Sequence, residues 1–409
     1  MADRLLRVAF VSGERFAPLY ELLPEFNAVA NRLVEVVAEI PLSELLNRLL
    51  GPLAGEDVAA SEEGPRPEAP CHLISGHSRY TADLAEQVLA LDDWFSAGEL
   101  AELDPAALEW CRWDGRLVQM PRCVETRLLY YRSDILEDRR ERAWFRDASG
   151  GHELGVPARW EELAVVAQHF TRRGRMHGFV YPGGDTGLVA LFVEILVSMG
   201  GRFLEPDGTP AYRTRAGEWT LNLMRDLFRR WEAVPPEMPE LTDEDVSHLF
   251  RMGLAALACD YIGTERLLRD PTFSAVAGWC SVGPMPVGPG GTRAAWTGSP
   301  TFAIPADCPD PEGAVELLRF LARPEHQLRE AKYGLLPVHL GARAEAREAG
   351  RSGTLAHRRF QLAEETLREA ALVPPRFSGY REQEELLRRA LLRGITSEST
   401  PDEALLATG

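Results

Sequence analysis

Met120-Pro121-Arg122-Cys123-Val124-Glu125-Thr126-Arg127-Leu128-Leu129-Tyr130-Tyr131-Arg132-Ser133-Asp134-Ile135-Leu136 decides the reading of this chain. A hairpin leads into it, Trp110 to Gln119, whose Asp114-Gly115 suits the two φ > 0 positions of a type I′ turn. That turn sets Cys111 opposite Val118, so Cys111 and Cys123 are not expected to bridge. Pro121 ends the hairpin strand. A mostly apolar run follows, with Glu125, Thr126 and Arg127 inside it, and Asp134 reads as a helix cap. Polar groups inside a buried strand need partners. Either these residues satisfy one another, or a ligand satisfies them; the rest of the chain favours the ligand.

Around this segment the chain alternates strands and helices. Leu5 to Val11 reads as a strand, and the helix after it carries Phe16, Leu19, Leu22, Leu23 and Phe26 at helical spacing. A second strand spans 32–40, which makes a parallel βαβ unit. Residues 51–70, rich in Gly, Pro, Ala and Glu, read as a surface insertion. A third strand, Cys71 to Ser75, opens onto Gly76-His77-Ser78-Arg79-Tyr80. Ligands of open parallel sheets lie beyond the carboxyl ends of the strands, so Glu14, Arg15 and the 76–80 turn are expected in one crevice. The pattern restarts with a helix over 157–173, a strand over 177–181, the turn Pro182-Gly183-Gly184-Asp185-Thr186, and a long apolar helix ending at Gly200-Gly201. Later come a buried strand over 254–260, the Gly- and Pro-rich stretch 279–291, and Trp296 to Pro305, which reads as a second crossing between lobes.

At 409 residues, two or three domains are expected. The net charge of −17 argues against nucleic acid. No run of about 18 apolar residues offers a membrane span. The six cysteines show no CxxC pair or zinc-like spacing and read as small apolar fillers, which mildly favours a reducing compartment. Arg7 interrupts the first apolar run, so it reads as a strand rather than a signal peptide. Two locations follow: extracytoplasmic if a leader has been removed, cytoplasmic otherwise. No metal or cofactor signature is present, and a monomer is expected.

In order along the chain, the landmarks resemble those of the extracellular solute-binding proteins of carbohydrate ABC transporters, the family that includes maltose-binding protein. They are Ser12-Gly13, Leu91-Asp92-Asp93, Asp114 to Pro121, Leu129 to Leu136, Pro157 to Leu163, Gly200-Gly201, Phe250 to Leu257, Pro284 to Gly288 and Leu335-Leu336-Pro337-Val338. The resemblance implies a two-lobed α/β fold of the periplasmic-binding-protein type (type II). Each lobe would be a mainly parallel sheet flanked by helices, joined to the other by hinge strands. The expected lobes are 1–122 with 304–345, and 123–303 with 346–409. A small carbohydrate, a mono- to trisaccharide, would be captured in the cleft and passed to permease subunits.

Residue by residue, the resemblance places Glu14 and Arg15 after the first strand and Gly76, His77 and Ser78 at the third-strand turn. Glu125 falls at the hinge carboxylate, and Tyr181, Asp185, Asp260, Tyr261 and Trp296 fall in the loops of the second lobe. Carboxylates and guanidinium groups bond hydroxyls strongly, and aromatic rings cover the apolar face of a pyranose. Trp296, among small loop-like neighbours, is the leading platform, with Trp279 behind it. For each aromatic the plainer reading is core packing; for Glu125 it is a salt bridge to Arg127 or Arg15. Two other functions stand beside this one: a cytosolic sensor or accessory protein reusing the fold, and a sugar-processing enzyme built on a carboxylate pair. The chain lacks a nucleophile elbow, zinc signature and P-loop ending, which disfavours the enzyme.

Overall fold

The computed structural model describes residues 4–13, 16–51, 53, 70–171, 176–205, 208–397 and 400–406. The 51–70 insertion lies almost wholly outside the described residues. The chain divides into two compact units. Unit 1 holds residues 1–125, 298–349 and 376–382; unit 2 holds 126–297, 350–375 and 383–409. The first two crossings fall at 125/126 and 297/298, where 122/123 and 303/304 were expected. The return of 376–382 to unit 1 had no counterpart in the sequence reading.

In unit 1, β1 (Leu5–Val11) pairs in parallel with β2 (Leu33–Ile40) and with β3 (Leu73–His77). Between β1 and β2 runs the helix Ala17–Ala30, which buries Leu19, Leu22, Leu23 and Phe26, the spacing read from sequence. The hairpin β4 (Arg112–Trp113) and β5 (Arg116–Leu117) turns through Asp114 and Gly115 at φ 49° and 77°. Val118 N donates to Cys111 O, so the expected register holds. Next come β6 (Met120–Pro121) and β7 (Cys123–Arg132), nine of whose ten residues are buried.

In unit 2, β8 (His177–Val180) lies parallel to β9 (Ala255–Tyr261), and β9 is antiparallel to β7. The edge of β7 beyond Leu129 is taken by β10 (Cys280–Gly283). β11 (Ala295–Gly298) neighbours β7, and β12 (Pro300–Ala303) inserts antiparallel between β3 and β6. β13 (Leu336–Pro337) pairs with Cys123 and Val124, and β14 (Ala371–Leu372) with Ala295 and Trp296. The resulting order in unit 1 is β2-β1-β3-β12-β6, parallel strands closed by an antiparallel pair.

Two details differ from the sequence reading. β3 runs two residues further than expected, so Gly76 and His77 are strand rather than turn. Asp134 is not a cap: it lies inside the short helix Ser133–Leu136, and its carboxylate takes two bonds from the Arg132 guanidinium at 2.7 and 2.5 Å. The six cysteines are all free, five buried and Cys308 partly exposed. No helix among the described residues is long and apolar enough to cross a membrane.

A buried ion pair anchors the start of β7 in unit 1. Arg122 Nε and Nη2 both donate to Glu330 Oε1, at 2.9 and 2.7 Å. Gln327 closes the arrangement by donating from Nε2 to Arg122 O and accepting from His339 N at Oε1. Burying either charge without the other is costly. Glu330→Ala is therefore expected to destabilise unit 1 by about 3 kcal/mol, seen as a lower urea midpoint. Arg122→Met with Glu330→Leu should recover most of that loss.

Candidate functional site

In unit 1 the carboxyl ends of β1 and β3 share an edge with the start of β12. Glu14 and Arg15, just after β1, lie outside the described residues. Gly76 and His77 pair with Thr301 and Pro300 across the ladder. Ser78 N donates to Ser299 O at 2.9 Å, and Ser299 N donates back to Ser78 Oγ at 3.0 Å. Ser299 Oγ in turn donates to Cys123 O at 2.7 Å, tying the rim to the start of β7.

Gly76 is needed for close approach. A Cβ there would sit 2.9 Å from Thr301 Oγ1 and 3.1 Å from Gln119 Oε1, two atoms that themselves form a short hydrogen bond. His77 lies over Gly298, where a Cβ would come within 2.6 Å of the His77 ring. Its Nδ1 accepts from Arg79 N at 3.2 Å, so the matching tautomer carries its proton on Nε2, as a hydroxyl-directed donor would. Arg79 lies over the Tyr80 ring, 4.9 Å from its centroid. Glu125 is buried in β7. Burial opposes the charge on Arg122, and Glu330 above all, with a lesser contribution from Glu125, more than offsets it.

In unit 2 the corresponding edge is formed by the carboxyl ends of β8 and β9 and by the part of β7 opposite them, where Arg127 pairs with Tyr261. Asp260 and Tyr261 are both buried there. Asp260 Oδ1 accepts from Tyr261 N at 2.7 Å, and Tyr261 O accepts from Thr264 Oγ1 at 2.8 Å. Thr126 and Thr297 share a hydroxyl–hydroxyl bond of 2.9 Å.

Arg127 is fully buried. It donates from Nη2 to Cys259 O at 2.9 Å and lies 3.4 Å from the carboxylate of Glu194, which is also fully buried. Its guanidinium carbon is 5.6 Å from the centroid of the Tyr261 ring. The protein itself thus supplies partners for Thr126 and Arg127, correcting the expectation that a ligand would do so.

Four of the expected residues take other roles. Tyr181 is a core residue: its ring packs on Phe179 and its hydroxyl donates to Met224 O at 3.0 Å. Asp185 is spent on backbone, accepting from Gly187 N and Asp243 N at 2.9 and 2.7 Å, which starts two helices. Trp296 is fully buried against Phe203 rather than loop-like. Trp279 is 60% exposed and precedes Cys280, which pairs with Arg132. That is five residues along β7 from Arg127, roughly 17 Å at strand rise, so Trp279 does not belong to this edge.

The loop Pro182 to Asp185 is no anion cradle either, because Gly183 N and Gly184 N both donate to Leu241 O. Two residues of the site escaped the sequence reading. Ser299 left only a faint trace, a small polar residue in a buried crossing. Glu194 left a clear one, a single acid in the otherwise apolar helix Gly187–Ser198.

Comparison with known proteins gives a consistent picture. A family profile described as bacterial extracellular solute-binding protein matches residues 76–328. A probable ABC transporter-binding protein of Deinococcus radiodurans is 25% identical over 255 residues, 61% of this chain and 57% of that protein. This chain thus matches little more than half the length of that relative. Maltose-bound MalE3 of T. maritima superposes with a TM-score of 0.81 at 24% identity, covering 98% of each chain. A solute-binding protein of Thermotoga lettingae bound with α-D-tagatose gives 0.80 at 18% identity, over 99% of this chain and 97% of that one. One from Agrobacterium radiobacter K84 in complex with ribitol gives 0.77 at 22%, over 99% and 97%. The two-lobed periplasmic-binding-protein fold is shared with all three.

Because Trp279 is solvated, Trp279→Ala should change the unfolding free energy by less than about 0.5 kcal/mol. Trp296→Ala should cost about 3–5 kcal/mol through the void it leaves. Urea titration of the two variants side by side checks both values.

Proposed function

The chain belongs to the bacterial extracellular solute-binding proteins, and we propose that it captures a small carbohydrate of one to three units between its two lobes for ABC-transporter uptake. It would act outside the cytoplasmic membrane, hand its sugar to permease subunits and perform no chemistry of its own. The observation that carries this reading is the chemistry shared by the three similar structures, which hold maltose, tagatose and ribitol. All three are uncharged and polyhydroxylated. This chain carries hydroxyl-compatible groups at the carboxyl edge of each unit: His77, Ser78 and the nearby Glu125 in unit 1, and Asp260 and Tyr261 in unit 2.

A polyol offers many weak donors and acceptors and no net charge. Carboxylates and a neutral imidazole suit it, because each forms directional bonds without demanding a counter-ion. Micromolar affinity corresponds to about −8 kcal/mol, within reach of a few such bonds after association costs are subtracted. A sugar that contacts both lobes only when they are closed would favour the closed state by its differential affinity. Glu125 is the leading ligand carboxylate in this reading. Trp296 serves as support beneath the edge rather than as an open platform.

The test is calorimetric titration against a sugar panel that includes maltose, tagatose and ribitol. Stoichiometric binding without turnover is expected. Glu125→Gln and Glu125→Ala should each weaken it at least tenfold, about 1.4 kcal/mol, while Trp279→Ala leaves it unchanged. Failure of every sugar to bind, release of product, or wild-type affinity in both Glu125 variants would each overturn the proposal.

A further inference from the structure

Glu194 is the one acid in the apolar helix Gly187–Ser198, and it stands beneath the carboxyl edge of unit 2. Its two oxygens do different things. Oε1 accepts the backbone N–H of Trp296 at 2.7 Å, holding β11. Oε2 lies 3.4 Å from Arg127 Nη1, out of line for a hydrogen bond, and has no hydrogen-bond partner among the described residues.

Arg127 is likewise only partly satisfied. Its Nη2 is taken by Cys259 O and its Nη1 reaches Gly187 O at 3.5 Å, while its buried Nε makes no hydrogen bond among the described residues. The ion pair therefore rests on charge more than on fitted hydrogen bonds. It joins three strands and a helix: Arg127 on β7, Cys259 on β9, Trp296 on β11, and Glu194 and Gly187 on the helix.

We propose that Glu194 is a proton-linked positioning residue, whose charged form fixes the Trp296–Thr297 segment of β11 at the carboxyl edge of unit 2. Burial pushes its carboxyl up to about 7; Arg127 and the Trp296 N–H pull it down, and Asp243 pushes it up. The other titratable or charged groups around the pair are Cys259, Asp260 and Tyr261. Burial raises the Cys259 thiol far above its usual value, so it stays neutral.

Protonation at Oε2 would remove the charge that holds Arg127 and leave the guanidinium buried without its counter-ion. The raised carboxyl also links to stability. The folded state keeps this proton where the unfolded chain has lost it. The group's favourable contribution is thus complete below about 4.5 and lost as pH rises through about 7. In acid, then, the protein gains global stability from this group while β11 loses its local hold. A purely structural carboxylate would not separate these two effects. For sugar capture the consequence rests on the function proposed above: affinity should fall on the acid side of neutrality.

The Trp296 amide is a direct reporter, because Glu194 Oε1 is its acceptor. Hydrogen exchange at Trp296, corrected for intrinsic rates, should speed up about tenfold between pH 8 and pH 6, following the protonated fraction of a carboxyl near 7. Glu194→Gln keeps the acceptor and removes the titration, so its corrected exchange should be flat over that range. Wild-type and Glu194→Gln proteins showing the same pH profile would overturn the inference. Affinity for whichever of maltose, tagatose and ribitol binds should fall severalfold from pH 8 to pH 6 in the wild type only. If none of the three binds while the exchange profile titrates, the sugar reading fails and the proton-linked role of Glu194 stands.

Discussion

A guanidinium cannot leave water without taking its own solvation along in another form, and Arg127 is wholly out of water. Glu194 and the carbonyls of Gly187 and Cys259 replace that solvation. The geometry of unit 2 at its carboxyl edge follows from this one requirement. To reach Arg127, the helix must present Glu194 and β9 must present the carbonyl of Cys259. The remaining carboxylate oxygen then sets β11 through the Trp296 N–H. Five residues earlier Arg122 poses the same problem in unit 1, and Glu330 with Gln327 solves it there. The chain passes from one unit to the other between these two arginines, at 125/126, and each side of the passage is pinned by a buried cation to its own unit.

The fold was legible because its signals are local. Spacing at Leu19, Leu22, Leu23 and Phe26 gave a helix, and Asp114-Gly115 gave a turn with both residues at φ > 0. The order of landmarks then pointed to a two-lobed sheet protein. What stayed hidden depended on residues far apart in sequence. Nothing near Arg122 announces Glu330, 208 positions away, and nothing near Trp296 announces Glu194, 102 positions away. The return of 376–382 to unit 1 is of the same kind. It rests on Asp83, whose carboxylate takes the N–H groups of Gly379 and Arg381 at 2.7 and 3.1 Å.

The site was legible as an edge rather than as a set of side chains. The rule that ligands gather beyond the carboxyl ends of strands pointed to the end of β3, and the family resemblance pointed to 181–185 and 260–261; the structure puts these segments at the carboxyl ends of β3, β8 and β9. Within those loops the side-chain roles were harder to read. Tyr181 and Asp185 stand beside the edge, yet one turns into the core and the other is consumed by two backbone N–H groups. Residue type alone does not separate a carboxylate offered to a ligand from one that starts a helix. The surroundings of Trp296 were hard to read for the opposite reason. Small neighbours around Trp296 suggested a loop, whereas they are the narrow residues of a buried strand that lets a large ring sit against Phe203.

The position of β12 has a consequence for how the polypeptide is made. It lies between β3 and β6 in the sheet of unit 1, so a chain synthesised as far as Pro121 contains both flanks and lacks the strand that joins them. At about 5–20 residues per second, the nascent chain waits on the order of ten to forty seconds between the release of β3 and the arrival of β12. During that wait β3 offers an unsatisfied edge to any passing strand.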